Sequence, residues 1–394
     1  MKELNCDLHI VGGALTGLLT AYCSSSLGYK IIISEKKNIT NTFTKSTTDT
    51  RTTAIAEGSK LFLESQGLWN HIKDFAEPIR NIKVIDKTAN AKLDFINPKP
   101  KSNLGYIVKN SKLIKILIKE LKRRKNVIFL NGSSLNSISY DNSKIVSFSN
   151  KKKIKSKLII AADGKNSAVR KILGTKIYKR NYSEKALVIN FFHDKPHNNI
   201  AYEFFLKTGP LAILPMQTEN KKYQSALIWS NKKDMVDFLT SSNLKNKHIL
   251  EIVSEKIYKQ LGNVTNINSM QSFPLSAHIN ETFYEDKVVY VGDAAHSIHP
   301  IAGQGWNLGL RDVKSITNLL KIYGEKEIGT KIFCKKYNEL CYYDAYRLFE
   351  ITDKLDWIFK KDKYYFKLMK KLGLNFINNN KIFNEKIVEF AMGI

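Results

Sequence analysis

The sequence predicts an α/β fold: a Rossmann-like layer interwoven with an antiparallel sheet and closed by C-terminal helices. Three observations carry that prediction. Short apolar strands run into glycine turns and then helices at Gly12–Gly17, at Asp163–Gly164 and at Gly292–Asp293. Between the second and third of these, residues 182–285 switch to short alternating strands, the pattern of an antiparallel sheet. Beyond residue 330 the apolar residues recur at helical spacing to the end of the chain.

Composition bounds the possibilities. A chain of 394 residues with 43% hydrophobic and 11% aromatic content can fill two domains or one large interwoven one. Its 63 Lys and Arg against 36 Asp and Glu leave a net charge of +27. The excess is mostly Lys, scattered and accompanied by Asn and Ile. It suits a solvated surface first, an anionic membrane surface second and nucleic acid last, since no nucleic-acid-binding motif accompanies it. The four cysteines form no C-x-x-C pair and read as reduced packing residues, which with the absence of a signal peptide points to the cytoplasm. No apolar run approaches the roughly 18 residues of a membrane span, so any membrane contact is expected to be peripheral, at the inner face.

The first unit runs from a strand ending at Val11 through G-G-A-L-T-G, Gly12 to Gly17, into a helix and a second strand ending at Glu35. Glycines let the chain turn tightly, a helix N-terminus attracts a pyrophosphate, and a terminal acid accepts ribose hydroxyls. Gly12, Gly13, Ala14, Gly17 and Glu35 are therefore candidate cofactor contacts. Ala14 stands at the second glycine of G-x-G-x-x-G, where its methyl would crowd an approaching phosphate.

The segment D-T-R-T-T-A-I-A, with Arg51, precedes an amphipathic helix that ends near Gly67. Residues 78–100 alternate and then break at Pro-Lys-Pro, a strand excursion. Asn110 stands where a strand meets the helix running to Leu121, a position that suits an N-cap. Residues 127–130 and 144–148 read as strands, and the Lys-rich 151–157 as a solvated turn. In the alternating region, strands are expected at A-L-V-I-N-F-F, A-Y-E-F-F, L-A-I-L-P-M and S-A-L-I-W, with helices near 235–239 and 250–261. The histidines, His296 and His299 among them, lack metal-ligand spacing and are expected to make ordinary hydrogen bonds.

The longest informative stretch is V-Y-V-G-D-A-A-H-S-I-H-P-I-A-G-Q-G-W-N-L-G-L-R-D, residues 289–312. It sets an acid, Asp293, at a strand end beside a tight loop and a helix start, a site suited to a polyhydroxylated, partly anionic cofactor. It resembles the second FAD motif of the class A flavoprotein monooxygenases, in the form found in the ubiquinone-biosynthesis hydroxylases. D-x-R-x-x-A, G-Y-I-V-x-N, D-G-x-x-S-x-V-R and the R-x-x-x-x-T-D-x-L helix resemble that family too, so the likeness spans essentially the whole chain.

The resemblance implies a glutathione-reductase-type FAD-binding domain over 1–75, 104–180 and 286–330. A substrate domain would cover 76–103 and 181–285, and a helical region 331–394. It adds Arg51, Asn110, Asp163, Gly164, Asp293, Pro300, Gly303, Gln304, Gly305 and Asn307 to the FAD contacts. Asn110 departs from many members in being followed by Ser111 rather than Arg. The implied activity is hydroxylation of the aromatic ring of a polyprenylated ubiquinone precursor, with O2 and NAD(P)H, through a C4a-hydroperoxyflavin. NAD(P)H would bind transiently, since only one dinucleotide fingerprint is present. The partners expected are a lipophilic aromatic substrate and a ubiquinone-biosynthesis complex. Hydroxylation of a soluble aromatic compound, or a non-catalytic flavoprotein subunit, stays open, with a geranylgeranyl-reductase-like role behind them. No side chain announces itself as a catalytic base.

Overall fold

The computed structural model describes residues 2–38, 50–97, 102–141, 144–149, 152–241 and 246–393. Asp49, residues 98–100, Lys151 and Ile394, all part of the readings above, lie outside the described residues.

Among the described residues the centre is a six-stranded sheet. Its order is Tyr284–Glu285, Val288–Tyr290, Leu158–Ala161, Leu8–Val11, Ile31–Glu35 and Val127–Asn131. All neighbours are parallel except the first hairpin. Strands buried on both faces are mostly apolar: Leu158–Ala161 is so throughout, Leu8–Val11 except for His9, and both are wholly buried. One face packs under the helices Leu15–Ser26, Asn110–Lys122, Gly305–Glu327 and Lys331–Phe359. The other packs through Ile32 and Leu130 against Leu4 and Ile154 of a four-stranded sheet and against Cys6 just after its first strand. His9 ties these layers, its ring nitrogens 2.7 Å from Ser34 Oγ and 2.7 Å from Ser147 Oγ. Burial lowers its pKa to about 3, so the ring is neutral.

An eight-stranded sheet forms the second body, built mainly from Ile177–His193, Ile200–Leu206, Gly209–Glu219, Lys222–Lys232 and Val264–Asn280. Residues Asn81–Asp86 and Ala91–Ile96 join its edge, as the strand excursion anticipates. Leu187, Ile189, Phe204 and Trp229 cover one face together with the helices Lys233–Leu239 and Asn246–Leu261. The opposite face turns toward the six-stranded body.

Three readings change. The apolar start divides into Lys2–Asn5 and Leu8–Val11, strands of different sheets. Residues Lys152–Ser156 are a strand rather than a solvated turn: they pair in parallel with Lys2–Asn5 and antiparallel to Lys144–Ser149, with Ile154 buried beneath the lysines. Lysine stems cover an edge while their ammonium groups stay wet, which makes such a strand look like a loop. The strand Val264–Asn280 was not anticipated; its seventeen residues carry scattered Ser and Asn and a Pro274, and pairing with Ile177–His193 supplies what the pattern lacks.

Candidate active site

The C-terminal ends of the central parallel strands converge, and four of the predicted elements meet there. Gly12 leaves Leu8–Val11 at φ +112, and a Cβ on it would lie 2.3 Å from the Ala162 carbonyl oxygen. A Cβ on Gly17 would lie 2.0 Å from the Gly12 carbonyl oxygen, so the helix can approach the turn only with glycine at both places. Ala14 caps that helix at φ −88 with no need of glycine and is exposed. Gly13 N–H donates to Glu35 Oε2 at 2.7 Å, which fixes the acid over the turn. Asp163, beside Gly12, accepts from the N–H groups of Ala168 (2.6 Å) and Val169 (3.2 Å), and Gly164 supplies a left-handed turn at φ +81.

Asp293 sits at the end of Val288–Tyr290 and is exposed, yet it lies so deep that burial dominates its proton equilibrium and raises its pKa. Both hold only for a carboxyl facing an internal crevice. His296, Arg51 and Lys165 oppose the shift by their charge, which places these groups around it. Arg51 also stands over the Phe273 ring at 5.3 Å, where it bridges the crevice and the eight-stranded sheet. Asn110 N–H donates to the Arg51 carbonyl at 3.0 Å.

The loop Pro300–Gly305 is held from below. Asn307 accepts from Ala56 N–H (2.9 Å) and donates to the carbonyls of Ala54 (3.0 Å) and Gly303 (3.4 Å), so its amide staples the loop to Thr52–Ala56. Asp312 accepts from Gly292 N–H at 2.8 Å and from His296 Nε2 at 2.7 Å, both buried. Burial works against a charged His296, but the Asp312 carboxylate outweighs it and the His296 pKa is raised. Gln304 donates to the Ala391 carbonyl at 3.0 Å, which brings the final helix Lys381–Met392 onto the loop. That contact was not legible in the sequence.

Several buried polar atoms without partners belong to residues of these elements: Asn110 Oδ1, Asp163 Oδ1, Gln304 Oε1, Asn190 Oδ1 and the hydroxyls of Thr50 and Thr52. Such atoms are costly unless something polar pairs with them. A dinucleotide-sized polar molecule fits the set, with Glu35 and Asp293 for hydroxyls, the helix start at Gly13–Ala14 for phosphate, and the Pro300–Gly305 loop for a ring edge.

His299, next to Pro300, is the exception among the buried histidines. Neither ring nitrogen has a hydrogen-bonding partner; Asp356 Oδ1 lies 3.5 Å from Nε2, and burial lowers the pKa to about 4. His299, Asp356 and Glu184 are close enough to share a metal ion. Lys360 already lies between the two carboxylates, 2.6 Å from Asp356 and 2.8 Å from Glu184, and supplies the positive charge a metal would bring.

Comparison with known proteins agrees with this geometry. A family model described as FAD binding domain matches residues 5–327. Ubiquinone hydroxylase UbiL of Rhodospirillum rubrum is 27% identical over 98% of this chain and 89% of its own length. The 3-demethoxyubiquinol 3-hydroxylase of Escherichia coli is 25% identical over 100% of both chains. Among solved structures, p-nitrophenol 4-monooxygenase PnpA of Pseudomonas putida DLL-E4 superposes with a TM-score of 0.80 at 16% identity, over 100% of this chain and 98% of that one. That likeness is one of fold.

Proposed function

This chain belongs to the FAD binding domain family, and on that footing we propose that it hydroxylates the aromatic ring of a polyprenylated phenol in ubiquinone biosynthesis. The observation that carries the reading is the pairing of a cofactor crevice with a mainly apolar, partly open sheet face that Arg51 touches at Phe273. Full-length similarity to ubiquinone hydroxylases of several organisms supports the same substrate class.

FAD, reduced by NAD(P)H, supplies the oxygen-activating chemistry when bound. The chain's own residues do the rest. Glu35 and Asp293 would hold its hydroxyls, the Gly12–Gly17 turn and helix start its phosphates, and Arg51 and Asn110 the ring side. Backbone N–H groups of Pro300–Gly305 would face negative charge on the ring edge. The eight-stranded sheet would roof the bound cofactor and limit water there, which suits an oxygen-transfer reaction.

A lipid surface is the proposed source of the substrate. Among the described residues no helix is long and apolar enough to cross a membrane. Yet the helix Tyr364–Asn379 leaves Tyr364 81%, Leu372 60% and Phe376 58% exposed, and Ile382 beyond it 70% exposed. Residues 363–384 carry five lysines and no acid. An apolar stripe flanked by lysine fits the headgroup region of an anionic bilayer. Vesicles containing phosphatidylglycerol should sediment the protein and pure phosphatidylcholine vesicles should not, while Leu372→Asp with Phe376→Asp should abolish the difference.

The function itself is tested by expressing the chain in hosts that lack a ubiquinone hydroxylase and weighing their quinone-pathway lipids. Restored ubiquinone, or a precursor heavier by one oxygen, is the expected result. Unchanged lipids in every strain, with flavin-loaded protein present, would overturn the substrate assignment and leave a soluble aromatic compound.

A further inference from the structure

The inner face of the eight-stranded sheet is mainly apolar where it faces the crevice, and its polar side chains include the neutral Asn190 and Gln271 and the acid Glu203. Alternation along Ile200–Leu206 sends Tyr202 and Phe204 to the outer face, under the helices Lys233–Leu239 and Asn246–Leu261. Ala201, Glu203 and Phe205 therefore point inward. Ala201 packs with Val388 and Met392 of the last helix, and Phe205 stacks on Phe359 at 3.5 Å. Glu203 lies between these two contacts.

Register then sets its neighbours. Glu203 pairs with Val84 and Ala212, Ala212 with Ile228, Ile228 with Val188 and Val188 with Gln271, a single row across the sheet. Ala212, Ile228 and Gln271 are only half-buried although the row lies inside the molecule. The crevice segment reaches the far end of this face: Asn190 donates to the Thr50 carbonyl at 2.6 Å, and Arg51 covers Phe273. Apart from Val188, which is buried, the row keeps open surface inside the molecule, as the floor of a slot leading to the cofactor crevice would. Glu203 stands two strand spacings, about 10 Å, from Ile228 at its middle.

We propose that Glu203 is the polar anchor of this slot, where it holds the ring hydroxyl of a phenolic substrate and shares a single proton with it. The inference rests on the phenol-hydroxylase reading above and names the group that meets the reacting ring. The phenol O–H bond breaks, a carboxyl O–H bond forms, and the electron pair stays on the phenol oxygen. That oxygen then feeds electron density into the ring, which an electrophilic oxygen transfer requires.

Charge supports the assignment. Burial alone acts on Glu203 and raises its pKa to about 8. No group on the surrounding elements contributes: not Lys360 or Asp356, not Lys370 or Asp86, and not Glu385, Lys386 or Glu389 on the final helix. Lys370 is committed to Asp86 at 3.3 Å and Lys360 to Glu184 and Asp356. A lone carboxyl that titrates near neutrality and keeps an open surface is matched to a phenol's proton. An ordinary core glutamate would have a cation beside it.

The test uses the full, FAD-loaded chain and a 4-nitrophenol bearing a geranyl tail, whose phenolate is coloured. A carboxyl and a phenol that hold one proton between them bind most tightly in a window of pH. In the unsubstituted protein, probe affinity should fall about tenfold per pH unit above about pH 8, as both partners become anionic. Glu203→Gln, which keeps the shape and cannot ionise, should bind the phenolate without that fall. Glu203→Leu should weaken binding throughout, with flavin absorbance retained as the check on folding. An identical pH dependence in the protein and in Glu203→Gln would overturn the inference while leaving the phenol reading intact. Absence of probe binding by the unsubstituted protein would overturn both.

Discussion

Two acids lie deep in this molecule with open surfaces, and their surroundings differ. Asp293, in the crevice, has Arg51, Lys165 and His296 to oppose the effect of burial; Glu203, in the slot, has none. The crevice is built from backbone turns, strand ends and helix starts, so charge there is surrounded by donors and cations. The slot is a sheet face, whose backbone polar groups are consumed in the ladder and which offers only side chains. A crevice of the first kind suits an anionic, hydroxyl-rich cofactor. A face of the second kind suits an apolar substrate with one polar handle.

The largest effect should come from testing how far the crevice depends on backbone geometry. Gly12→Ala places a Cβ 2.3 Å from the Ala162 carbonyl oxygen at φ +112. It should cost about 3 kcal/mol or more and abolish flavin binding, measured by urea unfolding and flavin absorbance. A stable, yellow variant would show that the turn has more slack than the structure allows.

Next is the pair beneath the loop. Asp312→Asn strands buried His296 and should destabilise the protein by about 3 kcal/mol. The pH dependence has a definite sign. His296 has a folded-state pKa raised above the ordinary value of 6.5, so the stabilisation is complete below 6.5 and fades as pH rises through the raised value. Thermal midpoints across that range should converge between the two proteins at alkaline pH; parallel curves would rule out the pair as the cause.

Asp293→Ala tests the crevice acid without disturbing the fold. Loss of a charge-assisted hydrogen bond of about 1.5–3 kcal/mol should weaken FAD affinity by about tenfold to a hundredfold, read by fluorescence titration. Unchanged affinity would remove Asp293 from the cofactor contacts.

The smallest effect sharpens the comparison from the slot side. Glu203 ionises at about 8 in the folded chain against 4.5 ordinarily, so the native state keeps a proton the unfolded chain releases. Stability contributed by that group falls as pH rises from 4.5 to about 8 and levels off beyond. Glu203→Gln should therefore gain stability, by about 1 kcal/mol or more near pH 9 and little near pH 4. A variant no more stable at either pH would mean that the slot hydrates the carboxylate as well as water does.

Legibility follows the same division. Crevice residues such as Gly12, Gly17, Glu35 and Asp163 announce themselves because a turn, a close approach and a strand end each demand a particular residue type at a fixed spacing. Asn307 was expected among the cofactor contacts, but its amide spends its bonds on the backbone of Ala54, Ala56 and Gly303. Glu203 was invisible: within A-Y-E-F-F a glutamate at an alternating position looks like the solvent face of a strand. The strand Val264–Asn280 and the docking of Ala391 on Gln304 were hidden for a related reason, since both depend on partners far away in the chain.

By itself, then, the sequence determined the α/β class, the family likeness and the residues around the crevice, because these rest on local backbone constraints repeated over a few positions. Only the tertiary structure decided which face of the large sheet is closed by helices and which opens on the crevice. It also decided that the final helix closes over the loop, and that one carboxyl lies in the slot without a counter-charge. Those outcomes depend on strand register and long-range packing, where one residue of slip would turn every side chain to the other face.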